Sequence, residues 1–304
     1  MKPTVSLVIS VWNRKDDLRE NLQAIRRQTV PPLEVIVVDN ASTDGTPEMV
    51  HDEFPEAVVI RMPHSRYGAC ETFNIGFASA RGQFVGILDD DVVLPPDFVE
   101  AMLAEFAREP ESTAILSPKV LEPQMPQWYV DSPAMNEPRY MATFRGCGSM
   151  AKADALRAAG WYDERFFIFG NERDLTTRLL NRGHRVKLAP HVVVHHKAPF
   201  GMRHGKRSLY YHVRNFWLYA FKYVPWRHVL AFPFRFLRKG LGGKGKKAAI
   251  GDAVGTIGLF DNIRSVRGGW WVVVKATLNA VCNLPYCLAR REVCRAADFE
   301  LPLK

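Results

Sequence analysis

Asp89-Asp90-Asp91 sets three carboxylates in a row, between the apolar run 83–88 and the brake Pro95-Pro96. Like charges placed side by side repel one another and each costs desolvation, so the folded chain has to offset them. A hard divalent cation that also carries phosphate oxygens does this, as in carboxylate-plus-phosphate sites for Mg²⁺ or Mn²⁺. A solvated acidic turn is the alternative, and the apolar run before the acids with the prolines after them favours the cation. Asp39-Asn40 follows a second apolar run, 33–38. The pair suits hydrogen bonds to a base or ribose, or equally an Asx turn, because residues 42–45 carry turn chemistry. Glu172 and Asp174 form a third group, just past the aromatic run Phe166-Phe167-Ile168-Phe169. With Asn171 as N-cap they lie in the first turn of a helix, where the dipole favours the ionised form. A carboxylate there suits general-base work, although first-turn acids are common in ordinary helices. His195-His196 ends an apolar run and offers a metal ligand. Adjacent strand residues face opposite ways, so one of the two serves.

These groups need a frame, and hydrophobic periodicity supplies one. Strands are expected over 4–11, 33–38, 58–61, 83–88 and 114–120, with two more over 185–188 and 191–194. Helices are expected over 17–28, 46–54, 67–81, 96–108 and 153–159, and from Asn171 to a stop at Gly183. Strand and helix units in this alternation build a doubly wound, mostly parallel α/β sheet of Rossmann-like type. Ligands of such sheets lie outside the carboxyl ends of the strands, so Asp39 and residues 89–91 are expected to share one site. No Walker loop or G-x-G-x-x-G fingerprint is present to cradle phosphate, which leaves that work to a metal. Residues 124–140 lack periodicity and read as a loop over the site. Residues 145–151 are small enough for backbone to approach a ligand, or for a tight packing turn.

The 304 residues are 47% hydrophobic and carry a net charge of +9, enough for one large domain with an appendage and suited to anionic partners. Lys and Arg concentrate in 197–247. The five cysteines, Cys70, Cys147, Cys282, Cys287 and Cys294, contain no C-x-x-C pair. That points to reduced thiols in a cytosolic compartment, and away from a disulfide frame or zinc site. The first residues lack a charged-then-apolar leader, so no secretion signal is expected.

Taken in order, Val11-Trp12-Asn13-Arg14, Val37-Val38-Asp39-Asn40-Ala41-Ser42-Thr43-Asp44-Gly45-Thr46, Asp89-Asp90-Asp91 and Asn171-Glu172-Arg173-Asp174-Leu175 resemble family-2 glycosyltransferases of the GT-A fold. The rhamnosyltransferase-like branch of surface-polysaccharide synthesis is the most similar, and the likeness covers about the first two thirds of the chain. It implies an inverting enzyme that uses a nucleotide sugar, UDP- or dTDP-linked, with Mg²⁺ or Mn²⁺. The acceptor would be a glycan or a polyprenyl-linked glycan. The resemblance places Asp39, Val11 and Asn13 in a nucleobase pocket and Asn74 near the nucleotide, with Asp90 beside them. Asp89 and Asp91 take the D-x-D places, Asp91 on the metal and Asp89 toward ribose or phosphate and metal. His196 fits the metal position better than His195. Glu172 stands where the family usually has an Asp base, and its acidic neighbour has become Asn171. Glu172 is the expected base, with Asp174 as the second candidate and as partner of Arg178.

The expected division is a catalytic domain over 1–205, with a nucleotide-binding half 1–95 and an acceptor half 96–205, followed by a basic, aromatic helical region 206–304. Within the latter, 208–223 reads as an aromatic helix under the catalytic domain, and Arg214-Asn215 resembles a recurring family feature. The segment 226–237, the basic glycine-rich stretch 240–247 and the apolar stretch 270–289 suit a region lying in the plane of an anionic membrane. Lys275, Asn279, Asn283 and Pro285 count against a span. A cytoplasmic protein, peripheral on the inner face of the plasma membrane, is expected. A nucleotidyltransferase would carry a glycine-rich, basic loop after the first strand. A non-catalytic nucleotide- or membrane-binding protein would leave the acids at element ends unexplained, and no nucleic-acid-binding signature appears.

Overall fold

The computed structural model describes residues 3–241 and 258–301, with the side chains of 236–241 excepted. Strands β1 (Val5–Val11), β2 (Glu34–Asp39), β3 (Val58–Arg61), β4 (Phe84–Asp89) and β5 (Val92–Val93) alternate with helices α1 (Lys15–Arg26), α2 (Thr46–Glu53) and α3 (Ala69–Ser79). Helix α4 (Phe98–Phe106) and strand β6 (Thr113–Leu121) follow. Short elements α5 (Gln127–Val130), α6 (Pro133–Asn136), β7 (Arg139–Tyr140), β8 (Ser149–Lys152) and α7 (Ala153–Ala159) lead to α8 (Asn171–Asn181) and β9 (Arg185–His196). The remainder is helical: α9 (Lys206–Tyr223), α10 (Trp226–Leu241), α11 (Leu259–Ser265), α12 (Gly269–Cys282) and α13 (Leu284–Ala289).

The sheet runs β3-β2-β1-β4-β8-β6-β9-β5, with β7 on the flank of β9. Strands β3, β2, β1 and β4 are parallel, as are β6 and β9, while β8 is antiparallel to both β4 and β6. The register places Val11 opposite Asp39 and Ser10 opposite Asp89, so the ends of β2 and β4 flank the end of β1. Strand alternation divides the core between two faces. Leu7 and Ile9 pack with α1, α2 and α4, and Val8 packs with α3, α7, α8 and α9. Each such fully buried aliphatic side chain contributes about 1.5–3 kcal/mol. Helix α3 crosses β1 closely because Gly76 has no side chain; a Cβ there would come within 2.2 Å of Val8 Cγ1.

The expected pair of strands after residue 185 is one strand. Its ladder with β6 runs to Pro118 opposite Ala189 and resumes at Lys119 opposite Val193. Pro190 has no N–H to give the ladder, and the chain absorbs it as a bulge. The expected loop 124–140 holds α5, α6 and β7, with Tyr129 and Met135 packed near Leu121 and Phe200. Helix α9 is part of the main core: Leu218, Tyr219, Ala220 and Tyr223 share a cluster with Val8, Phe73 and Leu175.

The apolar stretch 270–289 breaks at Asn283 into α12 and α13. Ala276 and Ala280 of α12 are fully buried, while Trp270, Trp271, Val274, Leu278 and Val281 are exposed at helical spacing. Among the described residues no helix is long and apolar enough to cross a membrane. Most of the basic stretch 240–247 lies outside the described residues.

Candidate active site

The ends of β1, β4, β6 and β9 and the start of α8 open onto one cavity of about 760 Å³. It is lined by Val11, Asn13, Asp89, Asp90, Asp91, Glu122, Arg145, Cys147, Glu172 and His196, and one wall comes from α9. Parallel pairing of β1 with β4 delivers the three aspartates there, and β5 folds back so that Val92 pairs with His196 and Val93 with His195. His196 points into the cluster: Nε2 is 3.0 Å from Asp91 Oδ1 and 3.7 Å from Asp89 Oδ2. His195 is exposed and stands outside the lining.

Electrostatics separates the acids. Burial pushes Asp90 up to about 8, reinforced by Asp91 and Asp89. Burial also raises Asp89. Burial acts on Asp91 in the same sense, but contact with His196 outweighs it and lowers the pKa. Glu172 is pushed up to about 7, chiefly by burial and further by the charge of Asp89. Its side chain accepts from Asn171 Nδ2 at 3.1 Å. Gly146 makes room for it, since a Cβ at that position would lie 2.7 Å from Glu172 Oε1.

The structure separates Glu172 from Asp174. The Asp174 side chain is fully buried, ion-paired with Arg178 at 2.9 Å and with Lys222, and bonded by the Tyr223 hydroxyl at 2.8 Å. It does not line the cavity. Lys222, 2% exposed, also meets Asp163 at 2.8 Å, so it ties α9 to the foot of α8. Replacing Lys222 with Met takes the shared cation from two buried carboxylates, leaving Asp174 with Arg178 and Tyr223 and Asp163 with Tyr286, and is expected to cost about 1–3 kcal/mol. A urea midpoint equal to that of the parent would contradict this.

Other expected positions also move. Asn74 faces away from the cavity: Nδ2 donates to the Tyr162 carbonyl at 2.9 Å and Oδ1 accepts from Tyr162 N–H at 2.9 Å. It joins α3 to the segment before α8. Asp39 is fully buried, is not among the residues lining the cavity, and accepts from Ser42 N–H at 3.2 and 3.3 Å, the turn arrangement that its neighbours 42–45 suit. Neighbouring Asn40 lines the cavity, and its Oδ1 is buried without a partner. Asn13 adopts φ 52° and accepts from Thr43 N–H at 2.8 Å, so it shapes the loop after β1. Asn171 is the first helical residue of α8, and the cap is Gly170 at φ 76°.

The turn into α8 contains Phe167 at φ 65° and Phe169 at φ 66°, conformations that bulky side chains rarely hold without support. Asn215 of α9 gives that support. Its Nδ2 donates to the carbonyls of Phe166, Ile168 and Phe169 at 2.9, 2.7 and 2.8 Å. Arg214-Asn215 was conspicuous in the sequence, but the role of Asn215 emerges only when α9 lies beside the turn. Arg145 and Cys147 belong to the stretch 145–151 expected near a ligand, whereas Glu122 is a lining residue that the sequence does not single out. An acid directly after β6 was the available signal for it.

The donor set fits a divalent cation on one observation. His196 Nε2 is buried and makes no aligned hydrogen bond, although two carboxylates face it. Ligand atoms of Asp89, Cys147 and His196 lie within 4.8 Å of one another. Two carboxylates that converge on one buried imidazole nitrogen suit a divalent cation held among the three.

Residues 6–168 match the family model described as glycosyl transferase family 2. EpsH of Bacillus subtilis, a glycosyltransferase by name, is 30% identical over 43% of this chain and 40% of its own length. The chondroitin synthase of Pasteurella multocida is 31% identical over 35% of this chain and 11% of its own. The chain thus spans well under half of these relatives. Among solved structures, a Pyrobaculum calidifontis mannosyltransferase with GDP-Man and Mn²⁺ superposes with TM-score 0.58 at 19% identity, over 95% of this chain and 73% of that one. GalNAc-T7 with UDP, GalNAc and Mn²⁺ gives 0.60 at 15%, over 93% and 58%. At such identities the likeness is one of fold.

Proposed function

The chain belongs to glycosyl transferase family 2 and has a GT-A-like α/β fold, and on that premise we propose that it is an inverting, metal-dependent sugar transferase. The donor is a nucleoside-diphosphate sugar, UDP- or dTDP-linked. The acceptor is a hydroxyl of a glycan or polyprenyl-linked glycan in cell-surface polysaccharide synthesis, within the rhamnosyltransferase-like branch. One observation carries this proposal: Glu172 shares a cavity with the Asp89, Asp91 and His196 cluster.

Asp89, Asp91 and His196 would hold Mg²⁺ or Mn²⁺, and a bound ion would supply Lewis-acid stabilisation of the charge on the departing diphosphate. The chain's own residues do the rest. Val11, Asn13 and Asn40 at the ends of β1 and β2 receive the nucleoside, so the half up to residue 95 is the donor side. Residues 96–205, together with the α9 wall, receive the acceptor. Glu172 takes the proton of the attacking hydroxyl, and its pKa near neutrality matches that task. A single in-line displacement at the anomeric carbon gives inversion. Arg145, Arg203 and Arg207 add positive charge to the same cavity, which suits a diphosphate. The test is release of nucleoside diphosphate from a panel of nucleotide sugars with Mg²⁺ or Mn²⁺. One donor turned over in a metal-dependent way is expected, and a panel left intact would sink the proposal.

We also propose that the helical region rests in the plane of an anionic membrane. Exposed Trp270, Trp271, Val274 and Leu278 of α12 and Leu230 and Phe234 of α10 supply apolar contact, and the excess of Lys and Arg supplies attraction. Co-sedimentation with anionic vesicles is expected, weakened by salt and by Phe234→Glu. A protein that stays in the supernatant at low salt would refute this.

A further inference from the structure

We infer that Glu122 is the positioning residue of the cation site: it clamps the His196 ring so that Nε2 faces Asp89 and Asp91. The inference rests on the metal-dependent reading above. Glu122 follows directly on β6, whose last residue Leu121 stands opposite His195 in the ladder. Sheet register therefore brings it beside the histidine. Its side chain is 5% exposed, and Oε1 lies 2.8 Å from His196 Nδ1. An ionised carboxylate only accepts, so Nδ1 must be the donor in that bond. Fixing Nδ1–H on one side leaves Nε2 to face the aspartates on the other.

An ordinary structural histidine would spend both nitrogens on good hydrogen bonds. Here one nitrogen is anchored while the other is buried, unaligned with any partner, and 3.0 Å from a carboxylate oxygen. That asymmetry is the pattern of a ligand oriented from behind by a carboxylate, where loss of the outer partner weakens metal affinity about 10–100-fold. Glu122 is also the ion-pair partner of Arg145, so the two functions have to be separated by experiment.

Mn²⁺ alone, titrated into the full chain and followed by the electron paramagnetic resonance of the free ion, separates them. Glu122→Leu removes the bond to Nδ1 and is expected to weaken Mn²⁺ binding about 10–100-fold. Glu122→Gln also breaks the Arg145 ion pair but keeps a carbonyl oxygen for Nδ1–H, and is expected to stay within about threefold of the parent. Equal weakening in both variants would make the effect one of charge or of stranded Arg145, and would overturn the inference. So would parent-like affinity in Glu122→Leu. If Glu122→Leu fails to fold, Glu122→Asp replaces it, because the shortened side chain withdraws its oxygen from Nδ1; parent-like binding then overturns the inference equally. Absence of Mn²⁺ binding by the parent would instead be a failure of the metal-dependent reading itself.

Discussion

Exchanging Glu172 for Gln is expected to reduce turnover about 10²–10⁴-fold while donor binding is kept. Gln fills the same space and still accepts from Asn171 Nδ2, so the shape of the cavity survives. What disappears is the ability to take a proton. Because burial pushes Glu172 up to about 7, the parent's kcat/KM should rise with pH through that region as the carboxylate ionises. The Gln variant should lack that limb. Parent-like turnover in Glu172→Gln would remove the base from this position. Asp174 is a poor heir, since its oxygens are committed to Arg178, Lys222 and Tyr223 away from the cavity. Its replacement by Asn should appear in the unfolding curve before it appears in the pH profile.

Asp91→Ala is expected to abolish transfer and the response to divalent ions together. A Lewis acid supplies several kcal/mol, and every 1.36 kcal/mol is a factor of ten, so the loss should reach about three orders of magnitude or more. Asp91 lies 3.0 Å from His196 Nε2, and contact with His196 keeps it ionised in spite of burial. Its removal takes away a charged donor and leaves His196 facing only the more distant Asp89. Steady-state rates across a Mn²⁺ series would test this. A variant with residual activity that still climbs with Mn²⁺ would place the ion elsewhere.

Much of this was legible without coordinates. Apolar runs closed by Asp39 and by Asp89 set the strand ends, because short buried strands are written locally as aliphatic stretches. The alternation of strands and helices then implied a parallel sheet with a site at its carboxyl edge, and β1, β2 and β4 form that edge. Glu172 near the head of a helix after an aromatic run was equally local information. Elsewhere one residue type suits two environments, and the pairing expected of Asp174 with Arg178 is one that the structure forms. Asn74 and Asp39 have the polarity of binding residues, yet their hydrogen bonds are spent on Tyr162 and Ser42. Asp174 shares the first turn of α8 with Glu172, and helical rotation sends it toward Lys222 while Glu172 meets Gly146.

The sequence by itself determined the type of sheet, the edge at which acids gather and the kinds of group that gather there, since each depends on neighbours within a few residues. Only the tertiary structure decided which groups meet. Glu122 and His196 are 74 positions apart, and Lys222 and Asp174 are 48 apart. Their contacts depend on sheet register and on how α9 docks. The same folding sets His196 in the cluster and leaves His195 outside the cavity lining, the choice that the resemblance already favoured.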